Sequence, residues 1–145
     1  MSGDAGTKLD VAKRCAQKMF ASDHASNHLG MSIDIPAPGE ATVTMTIRAD
    51  MVNGFDVCHG GFIFALADSA FAFACNAHNR LSVAASANID FLRPAKLGDR
   101  LTARAVEQHA GQSGGVYSVR VENQHGKAVA EFRGRSASRD EPLLK

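Results

Sequence analysis

The stretch from Phe62 to Ala77 has no polar face. Its Phe, Ile, Leu and Ala residues lie on every side of a helix, and between Phe62 and Cys75 only Asp68 and Ser69 are polar. A helix that is apolar all round must be covered all round. The segment is too short to cross a bilayer and carries a carboxylate at its middle, so the expected cover is protein rather than lipid. Any fold for this chain has to be built around that helix, expected over residues 60–77 when its glycine start is included.

The flanking sequence supplies a sheet. Ala41, Val43, Met45 and Ile47 alternate with Glu40, Thr42, Thr44, Thr46 and Arg48, the period of a half-buried strand. A first strand is expected over Leu29–Ile35, ended by the turn cluster from Pro36 to Gly39. After Arg80, Leu81, Val83, Ala85, Ala87, Ile89 and Phe91 alternate with Ser82, Ala84, Ser86, Asn88 and Asp90, as far as Arg93-Pro94. Arg100–His109, Val116–Asn123 and Lys127–Arg135 follow with separators of hairpin length, so a four-stranded meander is expected. Ahead of the strands, the segment 1–22 is expected to carry an amphipathic helix over about residues 8–21. There Leu9, Ala12, Cys15, Ala16, Met19 and Phe20 recur at helical spacing, and Thr7 and Asp10 fit a capping box. The tail, residues 139–145, is expected to be loose.

A chain of 145 residues has room for one core. Residues 1–145 are therefore read as a single α+β domain, a six-stranded antiparallel sheet wrapped around a long buried central helix. Such a sheet covers its helix on one side only, and a second copy of the chain is the expected cover for the rest.

Charge and cysteines narrow the function. Sixteen Lys and Arg against fifteen Asp and Glu leave a net charge of +1, which lacks the basic footprint of a nucleic-acid binder. Cys15, Cys58 and Cys75 are odd in number and show no CxxC spacing, so they read as reduced thiols of a soluble cytoplasmic protein. No basic-then-apolar leader opens the chain. His24 and His28 stand four apart but have no third ligand pattern nearby, and no metal site is expected.

The chemistry points to the central helix. A carboxylate is seldom buried without a partner or a task, and no Arg, Lys or His stands three or four residues from Asp68. Asp68 is either a core acid satisfied from elsewhere or an acid set in an apolar site as nucleophile or general base. His59-Gly60-Gly61 opens the same helix, where unpaired N–H groups and the positive end of the dipole can hold a developing oxyanion. Glycines there also serve plain close packing. Gly60 and Asp68 lie about 12 Å apart along a helix that rises about 1.5 Å per residue, too far for one small carbonyl to touch both. If both act on one carbonyl, the acid of one subunit must face the helix start of another.

The segment from Asn53 through His59-Gly60-Gly61 and Asp68 to Asn76 resembles the signature of hotdog-fold acyl-CoA thioesterases of the phenylacetic acid degradation (PaaI) type. Ile89-Asp90-Phe91-Leu92-Arg93-Pro94, Gly98-Asp99 and Phe132-Arg133-Gly134-Arg135 are similar to that family's later strands, and the resemblance runs from about Ala21 to Ser138. It implies Asp68 as the catalytic carboxylate and Gly60 as the backbone N–H that polarises the thioester carbonyl. His59 and Asn53 match the family's flanking polar positions. The resemblance further implies hydrolysis of phenylacetyl-CoA or hydroxylated phenylacetyl-CoA, with no metal or other cofactor, in a homotetramer built from two dimers. Gly61 and Ser69, beside the two principal residues, are candidate substrate contacts. Arg93, Arg133 and Arg135, with Lys96 and Arg100, are candidates for the CoA phosphates. Asn88 departs from the family pattern, which has a small residue or Thr beside the acyl pocket.

Two other readings share the scaffold. A non-catalytic acyl-CoA-binding or regulatory hotdog protein would keep the pocket without needing the intrahelical acid. A hotdog enoyl-CoA hydratase would pair a His with a carboxylate, as His59 and Asp68 could across an interface.

Overall fold

The computed structural model describes residues 6–145; residues 1–5, part of the expected N-terminal segment, lie outside the described residues. The chain opens with α1 (Lys8–Ala21), started by the expected capping box, in which Thr7 and Asp10 each accept the other's backbone N–H. A short helix α2 (His24–His28) then precedes β1 (Ser32–Asp34) and β2 (Glu40–Thr46). Of the expected first strand only Ser32–Asp34 is extended, because Leu29 caps α2 and Gly30 turns the chain at φ +73°.

A 3-10 turn at Ala49–Met51 leads to the central helix α3 (Gly60–Cys75). It stops two residues short of the expected end, because Asn76 caps it and ties its side chain to both the N–H and the C=O of Ser82. Four strands follow: β3 (Ser82–Phe91), β4 (Arg100–Ala110), β5 (Gly115–Glu122) and β6 (Ala128–Ser138).

All neighbours in the sheet are antiparallel, in the order β1-β2-β4-β5-β6-β3. The meander therefore holds for β4, β5 and β6 but not for β3, which pairs with β6 at the far edge. The β3–β4 connection is a crossover, held by Cys58 N–H on the Ala95 carbonyl, Gly98 N–H on Ile47 and Ile47 N–H on Asp99. Buried Ala95 and these bonds carry the chain past the start of α3 and insert β4 between β2 and β5.

The sheet wraps α3. Ala41, Val43, Met45, Leu101, Ala103, Val119, Val121 and Phe132 meet Ile63, Leu66, Ala67, Ala70 and Phe71 of the helix in one core. Phe71 packs its ring against Tyr117 and Phe132 at centroid distances of 5.6 and 5.8 Å. Gly134 is required there, since a Cβ would sit 2.9 Å from the Phe71 ring. This is the hotdog arrangement.

Two features depart from simple alternation. A bulge between Ala84 and Ser86 switches faces within β3, so that Val83 pairs with outward Ala137 while Ala87, Ile89 and Phe91 pair with Gly134, Phe132 and Ala130. The tail is also not loose. Leu81 N–H donates to the Glu141 carbonyl and its own carbonyl accepts the Arg139 N–H, each at 2.8 Å, and Asn79, at φ +58°, accepts the N–H groups of Leu143 and Leu144 at 2.9 and 2.8 Å. Leu143 is buried as a result.

Within one chain α3 is not covered all round. Phe62, Ala65, Asp68, Ser69 and Ala72, spaced as one helical stripe, are only half-buried. Among the described residues strand β3 has no partner on its outer edge, and most of it is exposed.

Candidate active site

The loop before α3 sets its first turn. Asn53 turns the chain locally, its Oδ1 accepting from the N–H groups of Phe55 at 2.9 Å and Val57 at 3.4 Å. Val52 and Cys58 close the loop as a β-bridge, and His59 N–H donates to Met51 O at 2.7 Å. Asn53 thus spends its oxygen on the loop itself, and its side-chain NH2 has no protein partner among the described residues.

His59 is the N-cap of α3. Its Nδ1 accepts the Gly61 N–H at 2.9 Å, which puts the proton of the neutral ring on Nε2. Its carbonyl takes the Phe62 N–H at 3.0 Å. Gly60 N–H, by contrast, donates to no group among the described residues. Three donors at the helix start are thereby reduced to one that is free. Glycine at 61 makes room for the His59 ring, because a Cβ would stand 3.1 Å from Nδ1. Glycine at 60 makes room for Phe91, whose Cζ would be 3.1 Å from a Cβ there.

A cleft opens at this point, walled by Cys58, Gly60, Ile63, Phe91 and Arg93. Arg93 is thus the candidate phosphate ligand that lies by the helix start. Arg133 and Arg135 stand elsewhere, opposite Asn88 and Ser86 on the outer face of the sheet, with Gly134 between them turned inward against Phe71. Asn88 is on that outer face too, so in one chain it does not border the helix.

Asp68 is half-buried a little over two turns into α3. Among the described residues nothing hydrogen-bonds or ion-pairs with its carboxylate. Burial alone raises its pKa above the usual aspartate range. The satisfied-core-acid reading therefore fails in the single chain.

Ser69, next to it, is committed. Its hydroxyl meets Ser26 Oγ at 2.8 Å, and Ser26 Oγ meets Asp23 Oδ2 at 2.7 Å. A carboxylate only accepts, so Ser26 donates to Asp23 and Ser69 donates to Ser26. This part-buried relay ties α2 to α3; sequence alone does not single it out, since its signal is the N-cap spacing of Asp23 and Ser26.

The site is thus a free N–H at a helix start and an unpaired acid in an apolar wall, with the two separated along one helix. The chain belongs to the thioesterase superfamily, whose family model matches residues 55–130. Within it, the likeness is to PaaI. The acyl-coenzyme A thioesterase PaaI of Escherichia coli (strain K12) is 48% identical over 121 residues, which span 83% of this chain and 86% of that protein. The solved structure of the E. coli PaaI protein from the phenylacetic acid degradation operon matches with a TM-score of 0.92 at 43% identity, over 94% of this chain and 99% of that one. A more distant match, smu.793 from Streptococcus mutans UA159 bound to acetyl CoA, has a TM-score of 0.74 at 25% identity, over 77% of this chain and 90% of that one.

Proposed function

We propose that this chain is an acyl-CoA thioesterase acting on aryl-acetyl thioesters, phenylacetyl-CoA or its ring-hydroxylated forms. The observation that carries the mechanism is the single unpaired N–H of Gly60 on the helix that holds an unpartnered, half-buried Asp68. The substrate class is supported by the likeness to the E. coli PaaI protein and the origin of that protein's operon.

The thioester carbonyl oxygen accepts the Gly60 N–H, which strengthens as negative charge develops on that oxygen. Asp68 either takes a proton from a water that attacks the carbonyl carbon or attacks it directly, giving an anhydride that water then opens. In both routes the C–S bond breaks, the electron pair leaves on sulfur, and the products are the free acid and CoA. A thiolate leaves readily, so the site needs no strong acid. Burial raises the proton affinity of Asp68, which suits a base. Asn53 holds the loop that sets the helix start and keeps its NH2 for the substrate, and His59 withdraws the Gly61 N–H so that one donor remains. Arg93, which walls the cleft beside Gly60, is the residue assigned here to a CoA phosphate.

The active unit is a two-fold dimer with shared sites, assembled further as a dimer of dimers. Support comes from the half-buried stripe of α3, the unpaired edge of β3, and Phe55, Val83, Leu92 and Leu97, each more than half exposed. The place of action is the cytoplasm, consistent with three buried free thiols. Among the described residues no helix is long and apolar enough to cross a membrane.

Thiol release from a panel of acyl-CoAs tests the reading, with Asp68→Ala beside the parent. The expected result is turnover preferring aryl-acetyl groups and its loss in the variant. Equal turnover by Asp68→Ala, or none by the parent, ends the proposal.

A further inference from the structure

Phe91, the last residue of β3, is 54% exposed, yet its ring is closely placed. It turns to the concave side of the sheet opposite Ala130, and its Cζ and Cε1 lie 3.1 and 3.2 Å from where a Gly60 Cβ would be. The ring therefore lies against the residue of the helix start whose N–H has no partner among the described residues. Ile63 and Cys58 line the same cleft, so the ring stands with apolar neighbours beside that donor, and Arg93 is the charged residue of the wall. A donor open to bulk water is weakened as an oxyanion ligand, because water competes for it and screens its field.

We propose that Phe91 is a positioning residue for the thioester carbonyl. Its ring keeps water from the Gly60 N–H and lines the passage by which the carbonyl reaches it. The inference rests on the thioesterase reading and adds a reason for glycine at 60: a Cβ there would press on this cover and shift it by a few tenths of an ångström. Phe91 acts by apolar contact, so a residue of similar size but polar character cannot replace it, while another apolar one can.

The experiment compares Phe91→Ala, Phe91→Gln and Phe91→Leu with the parent and with Asp68→Ala. Thiol release from phenylacetyl-CoA is measured at equal oligomer mass by light scattering. Ala and Gln should each lower kcat about tenfold or more with KM changed less than about threefold, as for a weakened oxyanion donor, and Leu should restore most of it. Gln acting like Leu, or Ala within about twofold of the parent, overturns the inference. So does a loss of activity that follows dissociation of the oligomer, which would make Phe91 an interface residue. A parent that turns over while only Asp68→Ala is dead leaves the thioesterase reading standing and removes this one; an inactive parent removes both.

Discussion

Subunit exchange between two inactive variants tests the shared site directly. The perturbations are Asp68→Ala, which removes the acid, and Gly60→Pro, which removes the N–H. The structure admits the proline. His59 precedes it at φ −59° and ψ 132°, the extended region that a residue before proline prefers. Position 60 is the first of the helix, where proline is common, and its N–H holds no bond that would be lost. The new Cβ would stand 3.1 Å from Phe91 Cζ and move that half-exposed ring by a few tenths of an ångström. Gly60→Ala carries the same Cβ but keeps the N–H, so it measures that displacement alone. Each parent variant should lose about a hundredfold or more in kcat while folding normally. Random exchange of a one-to-one mixture makes about half of the dimers mixed, each with one of two sites intact, so about a quarter of the native rate should return. Exchange is followed by native mass spectrometry on tagged chains. If mixed dimers form and no rate returns, the acid and the N–H do not meet across the interface.

Two further outcomes are expected. Ser26→Ala removes the middle of the Asp23–Ser26–Ser69 relay and should cost about 1–2 kcal/mol, lowering Tm by about 3–6 °C in a thermal melt; an unchanged Tm would mean that the relay does not hold α2 in place. Burial raises the Asp68 pKa in the fold above its unfolded value, so the charged form opposes folding, and the penalty grows as pH rises through the window between the two values. Asp68→Asn should therefore melt higher than the native chain at pH 7, with the gap closing on acidification. A native chain that is the more stable at pH 7 would reveal a favourable partner for the carboxylate.

Much of this was legible in the residues. An all-round apolar helix is an extreme pattern, and α3 and the strands around it follow from it. The alternation in Glu40–Arg48 and the cap at Thr7 were equally plain, because each is a local rule that no distant contact has to complete. The placement of β3 was not local. A connection of hairpin length says nothing of which edge a strand joins, and here the crossover is held by non-local backbone bonds, Cys58 N–H to Ala95 and the pair between Ile47 and Gly98-Asp99. Nor could the bulge at Ala85 be read, since Ala84, Ala85 and Ala87 offer no contrast between faces. The order of the tail is not local either, because its anchor, Asn79 in a left-handed conformation, lies far away in sequence.

The glycine pair shows why the site was harder to read than the fold. From sequence, close packing and a free N–H were competing explanations of Gly60-Gly61. In the structure they are one arrangement. The missing side chain at 61 lets the His59 ring turn back and take that residue's N–H. The missing side chain at 60 lets Phe91 lie against a residue whose N–H is left unclaimed. Packing is thus what selects a single donor out of a helix start that would otherwise offer several. The acid obeys the same logic. Among the described residues Asp68 has no partner, because α3 turns it to the stripe that its own sheet leaves open; in the proposed dimer its complement is a second helix start laid against the first.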